Sequence, residues 1–164
     1  MRRRTIAAAV AALVLAAPAA AGLPRGGTLV PGRSLGGVRL GESSSSVLAA
    51  LGTFYGVCHG CRSRTWYFTY RAFHRRGLAV ELEHGKVSGV YTLGQPPGWH
   101  AAHGLQLGMK PLAVHARVGS VRTIPCAGYD ALVSDSAGAR TVYYLYGGRL
   151  WGFGLFRSGV SPCR

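Results

Sequence analysis

The feature that most constrains the fold is an internal repeat. The segment GVRLG at residues 37–41 recurs as GLQLG at residues 104–108, and LEHGKVSG at residues 82–89 recurs as LYGGRLWG at residues 145–152. Similar segments in the same order indicate that one supersecondary unit occurs twice along the chain. The sequence therefore predicts two tandem copies of one small unit.

The repeated segments also predict where the units begin and end. We assign repeat 1 to residues 36–93 and repeat 2, with a C-terminal tail, to residues 104–164. A linker rich in Pro and Gly, residues 94–103, separates the two repeats. An N-terminal segment, residues 22–35, precedes them.

Each repeat opens with the signals of a short helix. In the first, Ser43 or Ser44 can cap the helix, and Gly52 ends it. In the second, Pro111 stands where a proline is tolerated in the first helical turn, and Gly119 ends the helix.

Three strand-like runs follow each helix, and the last two of each set are joined by two-residue turns at His84-Gly85 and Gly147-Gly148. The predicted fold class is therefore α+β, with two tandem repeats, each a short helix packed on a three-stranded antiparallel meander. The predicted strands lie near residues 65–71, 77–83, 86–93, 128–134, 139–146 and 149–156.

The pattern L-G-x-x-x-x-x-V-x-x-x-[LV]-G begins at Leu40 and again at Leu107, and a meander follows each copy. This arrangement resembles the SmpA/OmlA (BamE-like) small envelope proteins, and two tandem copies in an exported chain resemble the β-lactamase-inhibitor proteins. The resemblance covers residues 36–160, and it implies an α+β fold that binds proteins rather than catalysing a reaction. The lipid-bearing cysteine of the outer-membrane members is absent from this chain.

The N-terminus has the organisation of a secretory signal peptide. Arg2, Arg3 and Arg4 precede an apolar stretch, and small residues at Ala19 to Ala21 form a cleavage signal. A membrane anchor would need about 20 apolar residues, and Pro18 ends this stretch earlier. We therefore predict that residues 1–21 are removed, and that the product is secreted or extracytoplasmic, with no membrane span after cleavage.

The chain is strongly basic, with 19 Lys and Arg residues against 5 Asp and Glu residues and a formal net charge of +14. Such a charge favours polyanionic partners. Because exported proteins rarely meet nucleic acid, we expect no nucleic-acid partner. Binding to an anionic envelope polymer stays an alternative. A compositional preference for arginine explains the charge equally well.

Four cysteines in an exported chain allow three disulfide pairings. The loop after Gly52 is longer than its counterpart after Gly119, and the extra residues match the motif Cys58-His59-Gly60-Cys61 in length. We therefore predict disulfides Cys58–Cys61 and Cys126–Cys163.

The same CxxC motif could instead be a redox-active thiol pair. Such chemistry needs a thiol of lowered pKa, usually at a helix N-terminus, and the residues after Cys61 predict a strand. Haem attachment needs His after the second cysteine, where this chain has Arg62. We expect no metal ion and no other cofactor.

Candidate catalytic groups are few, because Glu42, Glu81, Glu83, Asp130 and Asp135 are the only acidic residues. Acid–base and nucleophilic mechanisms need converging carboxylates or a nucleophile beside a base. Glu83 is predicted to lie opposite Lys86 across a turn. A surface ion pair between them is a simpler explanation of this carboxylate than catalysis. We therefore predict that the chain is not an enzyme.

The second repeat is predicted to carry an aromatic sheet face where the first has mainly polar residues. Aromatic side chains and arginine contribute most to binding at protein interfaces, although the same face could pack against repeat 1, residues 22–35 or the tail. The predicted partner-binding residues are Tyr144, Tyr146, Arg149, Trp151 and Phe153.

These observations predict an exported, non-catalytic protein-binding module, either inhibitor-like or an envelope scaffold, with an unknown extracytoplasmic protein as partner. Two alternatives remain: a thiol–disulfide redox protein that uses Cys58 and Cys61, and a basic protein that binds anionic envelope polymers.

Overall fold

The structure, a computed structural model, describes residues 23–69, 77–94 and 97–164. The predicted signal peptide, residues 1–21, and part of the predicted linker lie outside these ranges. No helix among the described residues is long and apolar enough to span a membrane.

The described part of the chain is rich in short strands. Its elements up to residue 93 are β1 (Gly27–Val30), β2 (Ser34–Leu35), β3 (Val38–Arg39), α1 (Ser44–Leu51), β4 (Gly56–Val57), β5 (Arg64–Phe68), β6 (Gly77–Glu83) and β7 (Lys86–Leu93). The later elements are β8 (Trp99–Ala101), a 3-10 turn (Ala102–Gly104), β9 (Leu105–Gln106), α2 (Pro111–Val118), β10 (Arg122–Cys126), β11 (Tyr129–Ser136), β12 (Ala139–Tyr146) and β13 (Arg149–Arg157).

The strands form two sheets. The large sheet has the order β10-β11-β12-β13-β7-β6-β5-β4 and the small sheet the order β3-β2-β1-β8-β9. All neighbours in the large sheet are antiparallel, whereas β1 and β8 of the small sheet are parallel. The large sheet therefore consists of two four-stranded meanders that join where β7 pairs with β13.

The predicted α+β fold is wrong, because the described chain is mostly β-structure in sheets of five and eight strands. Both helices have only 8 residues, and together they bury Val47, Leu51 and Val114. So few side chains cannot cover an eight-stranded sheet. The small sheet supplies the remaining cover, and three of its five strands, β1, β2 and β8, come from segments predicted to be an N-terminal segment and a linker.

The ends of the helices follow the sequence signals. The side chain of Ser43 accepts a hydrogen bond from the backbone N–H of Ser46 at 3.2 Å and caps α1. Gly52 and Gly119 follow the two helices with φ of 83° and 70°, a backbone conformation that favours glycine. Local chemistry therefore decides where both helices stop.

One face of the large sheet, the inner face, packs against the helices and the small sheet. Leu29, Leu35 and Trp99 of the small sheet are buried against it. The side chains that the large sheet contributes to this core are Trp66, Phe68, Leu78, Val80, Leu82, Val87, Val90, Leu132, Tyr143, Leu145, Leu150, Phe153 and Leu155. The opposite side is called the outer face below.

A β-bulge interrupts each meander beside its last hairpin. Tyr144 pairs with Gly152, but the next residue of β12, Leu145, pairs with Leu150, so Trp151 is an extra residue. Ser88 is the extra residue at the corresponding step between β6 and β7. One inserted residue reverses the alternation of side chains beyond it, and this reversal places Trp151 and Phe153 on opposite faces.

The joint between the meanders requires Gly152. A Cβ at this position would collide with the backbone carbonyl of Thr92 on the neighbouring strand. By contrast, nothing lies within 4 Å of a Cβ added at Gly56, which is also in a strand. The two glycines therefore form a matched pair for testing the joint.

We predict that Gly152→Ala destabilises the protein by about 3 kcal/mol, because the backbone of β7 must move to admit the methyl group. Gly56→Ala is expected to cost less than about 0.5 kcal/mol. Urea unfolding of both variants measures the difference. If the two variants are equally stable, the close approach of Gly152 to the backbone of Thr92 does not hold the meanders together.

Candidate functional site on the outer face of the large sheet

The residues predicted to bind a partner do not share one surface. Phe153 is fully buried in the inner-face core, and Tyr144 is fully buried on the outer face. Tyr146 is 56% exposed, Arg149 is exposed and Trp151 is half-buried. The expectation that all five project together is therefore wrong, because the bulge turns Phe153 inwards and a later segment of the chain covers Tyr144.

That segment, residues 158–164, crosses the outer face and is called the strap. The Cys126–Cys163 disulfide ties it to β10. The hydroxyl of Tyr144 donates a hydrogen bond to the carbonyl of Pro162 at 2.7 Å, and Arg140 donates one to the carbonyl of Val160 at 2.8 Å. The strap therefore satisfies the polar ends of side chains that it buries.

Arg164 is the most closely held residue of the strap. Its guanidinium lies 4.2 Å from the centroid of the Phe156 ring and 5.6 Å from that of Tyr91. It binds both carboxylate oxygens of Glu81, with Nη2 at 2.8 Å from Oε2. The contact from Nη2 is a hydrogen bond between two charged groups, which is stronger than one between neutral groups.

Glycines on the neighbouring strands make room for this arrangement. A Cβ on Gly89 would lie 2.5 Å from the Phe156 ring, and one on Gly154 would lie 2.6 Å from the same ring. The ring of Phe156 therefore lies flat over two glycines, which leaves its upper face for the guanidinium of Arg164.

Burial dominates the electrostatics of this site. Desolvation raises the pKa of the Glu81 carboxyl above its ordinary value of 4.5, although the charge of Arg164 and its hydrogen bond act in the opposite direction. Desolvation also raises the pKa of Tyr91, and the Tyr67 hydroxyl, 3.5 Å from the Tyr91 hydroxyl, adds to the effect. The Tyr91 hydroxyl is therefore a neutral hydrogen-bonding group at physiological pH.

Three aromatic rings lie at one end of the outer face, next to the strap. The Trp151 ring lies 5.6 Å from Tyr129 and 5.3 Å from Tyr146, measured between centroids. We call Tyr129, Trp151 and Tyr146 the aromatic ladder. Arg149, the first residue of β13, is paired with Tyr146 across the hairpin and donates a hydrogen bond to the carbonyl of Gly108 at 3.0 Å.

At the other end of the outer face, strands β5, β6 and β7 and the strap enclose a cleft of about 660 Å³. Ten of its fourteen lining residues have polar or charged side chains, although apolar atoms supply slightly more of its surface, and we call it the polar cleft. The lining residues are Cys61, Arg62, Ser63, Thr65, Tyr67, Glu81, Glu83, Ser88, Tyr91, Gly159, Val160, Ser161, Cys163 and Arg164. Sequence reasoning missed it, because five of its fourteen lining residues come from the strap, which is far from β5, β6 and β7 in the chain.

The Cys58–Cys61 disulfide lies at the rim of this cleft, and the structure joins the cysteines in both of the predicted pairs. The CxxC motif occupies the loop between β4 and β5, where the backbone N–H of Cys58 donates to the carbonyl of Thr65 at 2.9 Å. Strand β5 follows the loop, so the helix N-terminus that lowers thiol pKa in redox motifs is not found at this position.

Three of the five acidic residues, Glu81, Glu83 and Asp135, are in ion pairs. Asp135 binds Arg122 and Arg140, each at 2.8 Å, and these contacts lower the pKa of its carboxyl. Glu83 pairs with Arg157 at 3.3 Å rather than with the predicted Lys86. Within the described ranges, no three His, Cys, Asp or Glu side chains form a group that could hold a metal ion.

Comparisons with known proteins identify the fold alone. No family model matches the chain, and no curated protein matches it. A crystal structure of a DUF4309 family protein from Bacillus subtilis is 16% identical with a TM-score of 0.53, and the match covers 76% of this chain and 84% of that one.

A second similar structure is an extracellular protein from Bacillus anthracis that contains an SCP domain. It is 12% identical with a TM-score of 0.50, over 73% of this chain. The match spans only 44% of that protein's length. Neither structure is described as an SmpA/OmlA protein. The two disulfides fit a secreted or extracytoplasmic protein, because disulfides persist in oxidising compartments.

We predict that Arg164→Ala costs about 3 kcal/mol at pH 7, because it leaves the Glu81 carboxylate buried without a partner. Its stability should rise as the pH falls, since the folded protein then binds a proton on Glu81 that the unfolded chain binds only near its ordinary pKa of 4.5. The double variant Arg164→Ala with Glu81→Gln should lack this pH dependence. Urea titrations of the two variants from pH 7 to pH 4 test the expectation, which fails if their curves are parallel.

We predict that replacing Cys126 and Cys163 by serine costs about 4 kcal/mol, since their disulfide joins residues 37 apart. Replacing Cys58 and Cys61, only 3 apart, should cost about 2 kcal/mol. The variant that lacks the Cys126–Cys163 disulfide should also expose the aromatic outer face to a dye that binds apolar surface. If the variant that lacks the Cys58–Cys61 disulfide loses more stability, the disulfide of the strap is not the one that stabilises the fold more.

Proposed function

We propose that the protein is an exported, non-catalytic binding module that contacts a protein partner through its aromatic ladder. The observation that carries the proposal is that Trp151 and Tyr146 reach solvent on a face where Tyr144 and Phe156 lie beneath the strap. This site keeps Tyr146, Arg149 and Trp151 of the predicted set, and it loses Tyr144 and Phe153.

The chemistry of the ladder suits a protein interface. Trp, Tyr and Arg are enriched among residues that dominate binding energy at interfaces. The Trp151 ring is held between Tyr129 and Tyr146, and Arg149 is tied to the carbonyl of Gly108. Side chains that are already ordered lose little entropy when they bind.

The two disulfides support a role outside the cytoplasm, where disulfides persist. The thiol–disulfide alternative has less support, because the CxxC loop leads into a strand. Binding of anionic polymers stays an alternative on charge alone, and modest salt should abolish it. Contact through the ladder should resist salt, since it depends on apolar surface.

We predict that Tyr146→Ser weakens the binding of a captured protein partner by about 2 kcal/mol, because it removes the most exposed ring of the aromatic ladder. Its stability should change by less than about 0.5 kcal/mol, since that ring is 56% exposed. The measurement is the affinity of the partner retained by the exported protein from extracytoplasmic fluid, at low and moderate salt.

The matched control is Phe54→Ser, which removes an aromatic ring that is 68% exposed outside the ladder. It should leave the affinity unchanged. If Phe54→Ser and Tyr146→Ser weaken binding equally, or if neither does, the ladder is not the binding surface. Loss of the partner in moderate salt would favour the polyanion alternative.

A further inference from the structure

The geometry points to a second site in this protein: we infer that the polar cleft binds a short oligosaccharide. This site lies at the opposite end of the outer face from the aromatic ladder, and it shares no lining residue with the ladder. The inference therefore does not depend on the proposed protein partner.

The size and shape of the polar cleft suit a small ligand. Its volume of about 660 Å³ lies within the range of about 300–1,000 Å³ typical of ligand pockets. Three strands form its floor and the strap forms one wall, so the site is largely formed before a ligand arrives.

Three of the four charged side chains that line the cleft, Glu81, Glu83 and Arg164, are already in ion pairs, and the fourth, Arg62, is exposed at its rim. Glu81 binds Arg164 through both carboxylate oxygens, and Glu83 binds Arg157 at 3.3 Å. A charged ligand would have to compete with these internal pairs. The described arrangement therefore favours a ligand that is recognised through neutral polar groups.

Hydroxyl groups supply those neutral contacts. The six hydroxyl side chains that line the cleft are Ser63, Thr65, Tyr67, Ser88, Tyr91 and Ser161. Thr65 donates to the carbonyl of Ser63 and Ser88 to that of Glu81, which leaves the lone pairs of both oxygens as acceptors. Sugar hydroxyls also donate and accept at one oxygen, so they match such a surface better than a ligand with donors or acceptors alone.

The backbone around the cleft disfavours an extended peptide. Peptides that bind to sheets usually add a strand to a free edge. Here the floor is the face of β5, β6 and β7, whose backbone groups are paired within the sheet. A peptide on this floor would leave many of its own N–H and C=O groups without partners, whereas an oligosaccharide has no such backbone to satisfy.

Calorimetric titration of the exported protein with cellotetraose, maltotetraose and chitotetraose tests the inference. We expect at least one of them to bind with a Kd below about 10 mM. The double variant Ser63→Ala with Tyr67→Phe removes two cleft hydroxyls with little change in shape, and it should weaken binding about tenfold. Thr123→Val removes an exposed hydroxyl from β10, outside the cleft, and should have no effect.

Several outcomes would overturn the inference. These are no binding of any of the three sugars up to about 10 mM, an equal loss of affinity in Thr123→Val, or tighter binding of uncharged tetrapeptides than of every sugar. Tyr146→Ser should bind the sugar normally. If it abolishes sugar binding, the sugar lies on the aromatic ladder and the cleft is not its site.

Discussion

The pairing of β7 with β13 makes one eight-stranded sheet out of two four-stranded meanders. Each of the two faces of so wide a sheet must either be covered by another part of the chain or carry polar side chains. Two helices of 8 residues and a five-stranded sheet cover the inner face. No second layer of secondary structure covers the outer face among the described residues, and the strap takes that role over part of it.

The strap lies where the outer face is most apolar. It covers Tyr144 and Phe156, which would otherwise expose a large aromatic surface. Holding an irregular segment against a sheet requires that its polar groups find partners. Tyr129, Arg140 and Tyr144 supply hydrogen bonds to its backbone. Glu81 binds its arginine, and one disulfide reduces the entropy lost when the strap is ordered.

This partial cover divides the outer face into a covered centre and two open ends. One end is aromatic and is the site proposed for a protein partner. The other end is lined by hydroxyl groups, and most of its charged side chains are paired, which favours a neutral ligand. The two ends differ because Tyr146 and Trp151 of one meander stand where the other has Glu83 and Ser88 beside the corresponding hairpin.

Short-range signals in the sequence were sufficient for local features. Ser43, Gly52, Pro111 and Gly119 predicted the helix ends, and the length of the loop around Cys58 predicted its own disulfide. These features depend on backbone conformation within a few residues, so neighbours in the chain are enough to determine them.

Tertiary structure alone decided four other features: the small sheet, the face on which Phe153 lies, the burial of Tyr144 and the polar cleft. The small sheet forms because β1 pairs with β8, a strand about 70 residues later, and no local pattern in Gly27–Val30 encodes that partner. The bulge at Trp151 turned Phe153 to the inner face, and one extra residue is enough to reverse a strand's alternation. The burial of Tyr144 and the wall of the polar cleft depend on the strap, whose position is determined by contacts between residues distant in sequence.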